Sequence, residues 1–297
     1  MNNPPPISII TPCFGQVSYI EQTVSSVFGQ RYSGLEYAVI DGGSTDGSVE
    51  IIRQYESRLA YWVSEPDSGP YDAINKGFAR STGEIMAWLN SDDIYLPGAL
   101  LAVGQIFAQF PEIEWLTSAT PVNMNAEGQP VYAAELEGFN QRAFFRGHCL
   151  FPDAGRGWIQ QESTFWRRSL WEKVGSRLDI SYSLAADYEL WARFWQHAQL
   201  YAVKAKLGCF RQHDAQRSRV AAEAYQAEAQ AAFRKHGGRP YGALEKRLRR
   251  TVGRRLASLA RRRRSLMPAF AAMGLVYPTR LVVKDGDGWK IEPSCIS

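Results

Sequence analysis

The chain has 297 residues, of which 45% are hydrophobic and 22% are charged, a balance that excludes disordered, collagen-like and coiled-coil proteins. Its four cysteines lie far apart and form no C-x-x-C pair, which argues against a disulfide framework or a structural zinc site. The formal net charge of +4 is unevenly distributed along the chain. Residues 239–264 hold 11 basic residues and one acid, a local charge of +10, so the remaining residues carry a net charge of −6.

The first hundred residues alternate between short apolar segments and segments with helical spacing. The predicted strands are 7–14, 35–40, 61–64 and 84–89, and the predicted helices are 17–30, 46–55 and 71–79. Strand–helix alternation with crossovers of this length predicts an α/β fold with a mostly parallel sheet flanked by helices. Ligands bind beyond the carboxyl ends of such strands. We therefore expect Asp41 and Asp92, each at a predicted strand end, to point into one crevice.

A second ordered region follows the less regular stretch 111–152. The predicted elements are a strand at 161–167, helices at 168–174 and 187–197, a strand at 200–210 and an alanine-rich helix at 221–235. We place a boundary near residue 217, with a first domain of residues 1–217 made of halves 1–110 and 111–217. Residues 218–297 form an extension.

The extension contains a predicted basic helix and a sequence typical of a β-hairpin turn. Apolar residues recur on one face of the helix at spacings of three and four: Leu244, Leu248, Val252, Leu256 and Leu259. The sequence Asp-Gly-Asp-Gly at 285–288 is typical of a β-hairpin turn.

No targeting or membrane-spanning segment is evident in the sequence. The first residues lack a basic region and an apolar stretch of signal length. The uncharged run 267–279 is interrupted by Pro268 and Pro278 and is shorter than the roughly 20 residues that a spanning helix needs. We expect a cytoplasmic protein.

Asp41 is the first candidate for a binding site. The two glycines after it permit a tight turn and the close approach of a ligand, and its carboxylate can accept hydrogen bonds from a base or a ribose. The alternative is a carboxylate that caps the next helix or braces the turn. The segment does not match G-x-G-x-x-G, so a dinucleotide site is poorly supported.

The second candidate is the pair of adjacent acids in Asn90-Ser91-Asp92-Asp93. Adjacent carboxylates are costly without a neutralising charge, and Mg²⁺ prefers carboxylate oxygens together with substrate phosphates. The alternative is an N-cap for a helix at 96–107. Both can hold, with Asp93 as the cap and Asp92 as the metal ligand.

Asp187 and His213 complete the set of candidates. Asp187 begins a predicted helix, and so capping is an alternative to a catalytic role. His213 follows a predicted strand, and a single histidine at such a place is more often a surface or packing residue than a ligand.

Six stretches taken together resemble family-2 glycosyltransferases of the GT-A fold, as found in bacterial cell-surface polysaccharide synthesis. The stretches are PISIITPCFGQVSYIEQTVSSVFGQ (6–30), VIDGGSTDGS (39–48), SEPDSGPYDAINKGFARSTGE (64–84), WLNSDD (88–93), QQESTFWRRSLWEKVG (160–175) and AADYELWARF (185–194). Together they span about residues 6–215, roughly 70% of the chain, and occur in the family's order.

The resemblance implies transfer of a sugar, with inversion, from a UDP- or GDP-linked donor to a hydroxyl of a saccharide or lipid-linked saccharide. Nucleotide-sugar binding is implied for four positions: Thr11, Asp41, Asn90 and Ser91. Asp92 takes the metal-binding place of the D-x-D motif and would reach the diphosphate through Mg²⁺ or Mn²⁺. Asp187 matches the general base, and His213 falls close to the metal or the diphosphate.

The chain departs from the family pattern at two of these positions. Asn90 stands at the first position of D-x-D, which weakens a ribose or metal role there. The frequent double acid after the second strand is Asp41-Gly42 here, so that one carboxylate is expected to make the nucleotide contact alone.

Three interpretations of the basic segment 239–264 remain open. It packs on the body through its apolar stripe, it lies on an anionic membrane at the inner face of the cell membrane, or, least favoured, it binds nucleic acid. Two other functions also remain as alternatives, a sugar-phosphate nucleotidyltransferase and an inactive nucleotide-sugar sensor or adaptor. The absence of a basic residue in 11–17 disfavours the former, and the presence of both Asp92 and Asp187 disfavours the latter.

Overall fold

The computed structural model describes residues 4–150 and 157–297, which form an α/β protein. The strands are β1 (Ile7–Cys13), β2 (Leu35–Asp41), β3 (Tyr61–Ser64), β4 (Ile85–Trp88), β5 (Ile94–Tyr95), β6 (Trp115–Ser118), β7 (Val122–Met124), β8 (Pro130–Ala133), β9 (Phe165–Arg167), β10 (Leu200–Val203), β11 (Gly208–Arg211), β12 (Tyr277–Asp285) and β13 (Gly288–Ile296). The helices are α1 (Ile20–Phe28), α2 (Ser48–Gln54), α3 (Pro70–Arg80), α4 (Ala99–Gln109), α5 (Gln141–Phe144), α6 (Arg168–Lys173), α7 (Ala186–Phe194), α8 (Arg217–Val220), α9 (Ala222–Lys235), α10 (Ala243–Leu248), α11 (Arg254–Arg262) and α12 (Met267–Ala272).

The described strands build one large, mostly parallel sheet in the order β13-β12-β10-β6-β9-β4-β1-β2-β3. β1 pairs in parallel with β2 and β4, and β10 pairs in parallel with β6 and β12. β9 is antiparallel to both of its neighbours. The predicted α/β fold with a mostly parallel sheet is therefore confirmed.

Amphipathic helices cover both faces of this sheet. α1 buries residues spaced by three and four, namely Ile20, Thr23, Val24 and Val27. α3 begins with Pro70 at its first turn, where a missing N–H costs nothing, and buries Ala73, Ile74, Gly77 and Phe78. Among the described residues, the largest fully buried side chains of the core are tryptophans: Trp88, Trp115, Trp166, Trp191 and Trp195.

A second, four-stranded sheet in the described residues has the order β5-β11-β7-β8. The prediction of one strand at 200–210 is wrong, because the chain leaves the large sheet after β10 and enters the small sheet as β11. The segment 111–152 contributes β6, β7, β8 and α5, and its last two residues, 151–152, lie outside the described residues.

The predicted hairpin is present and extends the large sheet. β12 and β13 pair antiparallel around a two-residue turn, and β12 lies parallel to β10, with Ala202 opposite Leu281. The extension thus contributes strands to the same sheet as the first 217 residues. The boundary near residue 217 stays a prediction.

The basic segment is helical, and its apolar stripe is only partly covered, with Leu256 packed against a small cluster on the body. Four stripe residues have large exposed fractions: Leu244 (83%), Leu248 (44%), Val252 (40%) and Leu259 (40%). The inner face of α11 is formed by Ala257 and Ala260, which pack in a small cluster with Met267, Val276 and Cys295. The stripe is therefore only partly packed on the body, and the three interpretations of the basic segment stay predictions. No helix among the described residues is both long and apolar enough to span a membrane.

Candidate active site

A cavity of about 980 Å³ opens beyond the carboxyl ends of β1, β4 and β11. Its wall includes residues that follow these strands, such as Phe14, Asn90 and Gln212, and residues near the start of α7. Strand ends of a parallel sheet meet at one edge, and that geometry creates the crevice. Five of the seven predicted site residues line it: Asn90, Ser91, Asp92, Asp187 and His213.

The turn that carries Asp92 is held by hydrogen bonds to its backbone. The Thr23 hydroxyl donates to the carbonyls of Ser91 (2.9 Å) and Asp93 (2.7 Å), and Arg211 Nε donates to the Asp92 carbonyl (2.6 Å). Arg211 is almost completely buried, and its guanidinium points away from the cavity. The side chain of Asp92 is left to face the cavity.

Asp92 and His213 form a contact pair on the cavity wall. The distance between His213 Nε2 and Asp92 Oδ2 is 3.0 Å, and the His213 ring packs on Tyr19 with 4.7 Å between ring centroids. His213 is buried. The predicted proximity of these two residues is thus present in the structure.

Asp93 has a structural environment different from that of Asp92. It is buried, and its Oδ1 accepts a hydrogen bond from the Arg211 backbone N–H (2.8 Å). Burial, with the neighbouring charges of Asp92 and Glu162, holds the pKa of the Asp93 carboxyl well above its usual range. The alternative of an N-cap at Asp93 is wrong, because α4 begins at Ala99 after Gly98.

Asp187 is the second residue of α7 and lies, half-buried, on the cavity wall. Its Oδ1 accepts a hydrogen bond from the Tyr188 N–H (2.8 Å), and the Tyr225 hydroxyl donates to its carboxylate. Burial raises the pKa of Asp187 to about 6, and these two hydrogen bonds partly oppose the rise. A carboxylate with this pKa is ionised at neutral pH yet basic enough to accept a proton.

The start of α7 is held by α9, a helix from beyond the predicted boundary. Glu228 accepts hydrogen bonds from three consecutive backbone N–H groups, those of Ser183 (3.0 Å), Leu184 (2.8 Å) and Ala185 (3.0 Å). Sequence reasoning missed Tyr225 and Glu228, which are three residues apart and share one face of a helix. That spacing is the signal that could have found them.

Thr11 and Asp41 do not line the cavity. Thr11 is fully buried, and its hydroxyl accepts a hydrogen bond from the Tyr37 hydroxyl (3.0 Å). The Asp41 carboxylate accepts hydrogen bonds from Gly43 N–H (3.0 Å), Ser44 N–H (2.8 Å) and Ser64 Oγ (2.7 Å). Asp41 therefore braces its own loop, and a direct contact with a nucleotide stays a prediction.

Comparison with known proteins gives the family. Residues 8–152 match the family model Glycosyl transferase family 2. The uncharacterized glycosyltransferase Rv1514c of Mycobacterium tuberculosis (strain ATCC 25618 / H37Rv) is 33% identical over 199 residues, which are 64% of this chain and 68% of the relative. The chain belongs to glycosyl transferase family 2. The family model ends before Asp187 and His213, and so it does not cover these two positions.

Solved structures share the GT-A fold of this glycosyltransferase. S. aureus TarS 1–349 in complex with UDP-GlcNAc aligns with a TM-score of 0.60 and 15% identity, over 90% of this chain and 75% of that one. The mannosyltransferase PcManGT from Pyrobaculum calidifontis, in complex with GDP-Man and Mn²⁺, aligns with a TM-score of 0.56 and 17% identity, over 80% of this chain and 66% of that one.

A second carboxylate of the glycosyltransferase lies beside the Asp41 loop. Asp67 lines the cavity, and its Oδ2 is 2.8 Å from the place where a Cβ on Gly42 would stand. A side chain at position 42 would therefore displace Asp67. Sequence reasoning missed Asp67 and assigned the nucleotide contact to Asp41 alone, whereas the structure places another acid at this end of the cavity.

The side chains on the cavity wall supply some, but not all, of the ligands that a hard divalent cation needs. Within residues 4–150 and 157–297, no group of three or more His, Cys, Asp or Glu side chains is arranged to hold a metal. Asp92 supplies carboxylate oxygen and His213 supplies imidazole nitrogen, and Mg²⁺ or Mn²⁺ completes its shell with water and substrate phosphates. A cation at Asp92 would thus depend on the diphosphate for further ligands.

Proposed function

We propose that this glycosyltransferase is a metal-dependent inverting enzyme that moves a sugar from a nucleotide-diphosphate sugar to an acceptor hydroxyl. The observation that carries the proposal is the placement of Asp92 and Asp187 on the wall of one cavity. One carboxylate can hold a cation beside the leaving diphosphate, and the other can accept the proton of the incoming hydroxyl. Both are needed for a direct displacement at the anomeric carbon.

Asp187 is proposed as the general base. It accepts the proton of the acceptor hydroxyl as the oxygen attacks the anomeric carbon, a step worth roughly 10²–10⁴-fold in rate. Tyr225 and Glu228 fix its position through the side chain and the backbone of the α7 start. Correct placement of both reactants contributes on the order of 7–11 kcal/mol in favourable cases.

Asp92 and His213 are proposed to act at the diphosphate end. A bound Mg²⁺ or Mn²⁺ would stabilise the negative charge that develops on the leaving nucleoside diphosphate. Asp92 would hold that cation, with His213 beside it at 3.0 Å. Arg217 and Arg219 also line the cavity and supply fixed positive charge for the phosphates.

The donor is proposed to be a UDP- or GDP-linked sugar, and the acceptor a saccharide or a lipid-linked saccharide. Support for the donor comes from the nucleotide sugars bound in the two neighbouring structures, UDP-GlcNAc and GDP-Man. Membership of a glycosyltransferase family argues against both the nucleotidyltransferase and the inactive sensor.

A nucleotide-sugar screen tests the proposed function. We expect one of UDP-GlcNAc, UDP-glucose, UDP-galactose or GDP-mannose to raise the melting temperature of the protein more with Mn²⁺ than with EDTA. The same donor should be slowly hydrolysed by the enzyme with Mn²⁺, because water can replace the acceptor. Binding without any hydrolysis or transfer would support the sensor instead, and formation of a nucleotide sugar from a nucleoside triphosphate would support the nucleotidyltransferase.

We further propose that the basic segment lies on an anionic membrane surface. The segment that carries the apolar stripe also carries exposed basic residues: Lys246, Arg247, Arg254, Arg255, Arg262 and Arg263. When such a helix lies on a membrane, its apolar side chains can be buried at the lipid boundary, and its arginines can contact anionic headgroups. This position would bring the enzyme to a lipid-linked acceptor at the inner face of the cell membrane.

We expect the full chain to float with vesicles that contain phosphatidylglycerol and not with vesicles of phosphatidylcholine alone. Replacing Leu248 and Leu259 with Gln should weaken binding about 10-fold or more, since each buried leucine contributes on the order of 1 kcal/mol or more. Leu101→Gln is the matched control, because Leu101 is 52% exposed on α4, outside the segment. Binding to nucleic acid in a shift assay, with no flotation, would contradict the membrane proposal.

A further inference from the structure

The wall of the cavity includes polar side chains to which the proposed mechanism assigns no role. Gln161 and Glu162 lie on a short 3₁₀ turn, Gln161–Ser163, and both line the cavity. Both are more than nine-tenths buried. In the described parts of the chain, Gln161 Oε1 and Glu162 Oε1 have no hydrogen-bond partner. A buried polar oxygen without a partner is costly, and one on a cavity wall is free to meet a ligand.

The turn is hydrogen-bonded to both sheets, through Gly208 on β11 and Trp88 on β4. The Ser163 hydroxyl accepts a hydrogen bond from the Gly208 N–H (3.0 Å), and Gln161 Nε2 donates to the Trp88 carbonyl (2.6 Å). A Cβ on Gly208 would stand 2.4 Å from the Glu162 carbonyl oxygen, so that only glycine permits this close approach. The two unpartnered oxygens are thus presented from a fixed backbone.

Glu162 lies within electrostatic reach of both proposed catalytic ends. The charges of Asp92 and Asp187 both act on its carboxyl, and burial is the largest cause of a rise in its pKa to about 8. Glu162 is therefore mostly a neutral acid at pH 7, which can donate one hydrogen bond and accept others.

We propose that Glu162 and Gln161 bind hydroxyl groups of the sugar that is transferred. This inference rests on the proposed function, because the diphosphate would meet Asp92 and the acceptor hydroxyl would meet Asp187. The anomeric carbon joins these two ends, so the sugar ring must lie between them. A carboxylic acid and an amide there would distinguish sugars by the positions of their hydroxyls, as sites built for hydrogen bonding do.

Binding of nucleotide sugars, compared with binding of the free nucleoside diphosphates, tests this subsite. Calorimetry with Mn²⁺ would measure UDP against UDP-GlcNAc, UDP-glucose and UDP-galactose, and GDP against GDP-mannose. For Glu162→Met we expect affinity for the nucleotide sugar to fall roughly 5- to 100-fold, while affinity for the nucleoside diphosphate stays within about twofold. Glu162→Gln should restore most of the loss, because an amide can also donate and accept.

Gln160→Met is the matched control. Gln160 is the preceding residue, is equally buried and also has an unpartnered Oε1 among the described residues, but it lies outside the cavity lining. We expect this variant to keep the wild-type ratio of nucleotide-sugar to nucleoside-diphosphate affinity. An unchanged ratio in Glu162→Met would overturn the subsite alone. Failure of the wild type to bind any of the nucleotide sugars would overturn the proposed function, and the subsite with it.

Discussion

Asp187→Asn is expected to lower the rate of sugar transfer by about 10²–10⁴-fold, the range that a positioned general base contributes. The amide has nearly the same shape as the carboxylate but cannot accept the acceptor's proton. The measurement is kcat for transfer at saturating donor, together with donor affinity by calorimetry. In the proposed function Asp187 contacts the acceptor hydroxyl rather than the diphosphate, so donor affinity should stay within about twofold of wild type.

The same substitution should stabilise the fold at neutral and basic pH. Burial raises the pKa of Asp187 from its usual 3.8 to about 6, so the folded state binds more protons than the unfolded state between these values. The stability of the wild type therefore falls as the pH rises through this window, by on the order of 3 kcal/mol in total. We expect Asp187→Asn to melt a few degrees higher at pH 8, with a smaller difference at pH 5.

The pH profile gives an independent check of the same residue. Transfer by the wild type should decline below about pH 6, as Asp187 becomes protonated. Asp179→Asn is a suitable control, since Asp179 lies outside the cavity lining and pairs with Lys235 at 3.1 Å. Near-wild-type turnover in Asp187→Asn would rule out Asp187 as the base.

Asp92→Asn is expected to remove the dependence of donor binding and transfer on a divalent cation. An amide oxygen is a weaker ligand than a carboxylate for Mg²⁺ or Mn²⁺. The loss of several kcal/mol of charge stabilisation corresponds to about 10²–10³-fold in kcat/KM at saturating Mn²⁺. Titration of Mn²⁺ into the wild type and the variant, each with donor present, measures the effect directly.

The adjacent acid provides the comparison for Asp92. Asp93 has a pKa well above its usual range, because it is buried beside Asp92 and Glu162, and so Asn resembles its protonated form. Asp93→Asn should keep its hydrogen bond to the Arg211 N–H and retain Mn²⁺ dependence. An equal loss of Mn²⁺ dependence in both variants would mean that the turn is distorted. Unchanged Mn²⁺ dependence in Asp92→Asn would exclude Asp92 as the metal ligand.

The parts of the site that follow from strand ends could be predicted from the sequence. Asp92 follows β4, and the carboxyl ends of parallel strands of the large sheet meet at one edge. His213 follows β11, which belongs to the small sheet, so strand ends of one sheet do not account for its position beside Asp92. The sequence pattern does not reveal the hydrogen-bond partners of each acid. Asp41 has the position of a ligand, yet its carboxylate oxygens are occupied by its own loop.

Contacts between distant segments account for most of what the sequence did not reveal. Tyr225 and Glu228 act on α7 from a separate helix, and Arg211 holds the Asp92 turn from the other sheet. Periodicity likewise found the stripe of the basic helix but could not show whether another surface covers it. The alanines of α11 pack inward instead, because their small side chains allow the helix to lie close to its neighbours.

The pairing of β12 with β10 has a consequence for the order in which the enzyme is assembled. During synthesis, β10 emerges well before its neighbour β12, and α7 emerges before the helix that holds its first turn. Until those later segments arrive, one side of β10 has unpaired backbone groups, and Asp187 lacks its supports. A nascent chain should therefore form β1, β2 and β4 before the supports of Asp187 on α9 arrive, and the large sheet should be completed by β12 and β13 only after the basic segment has been made.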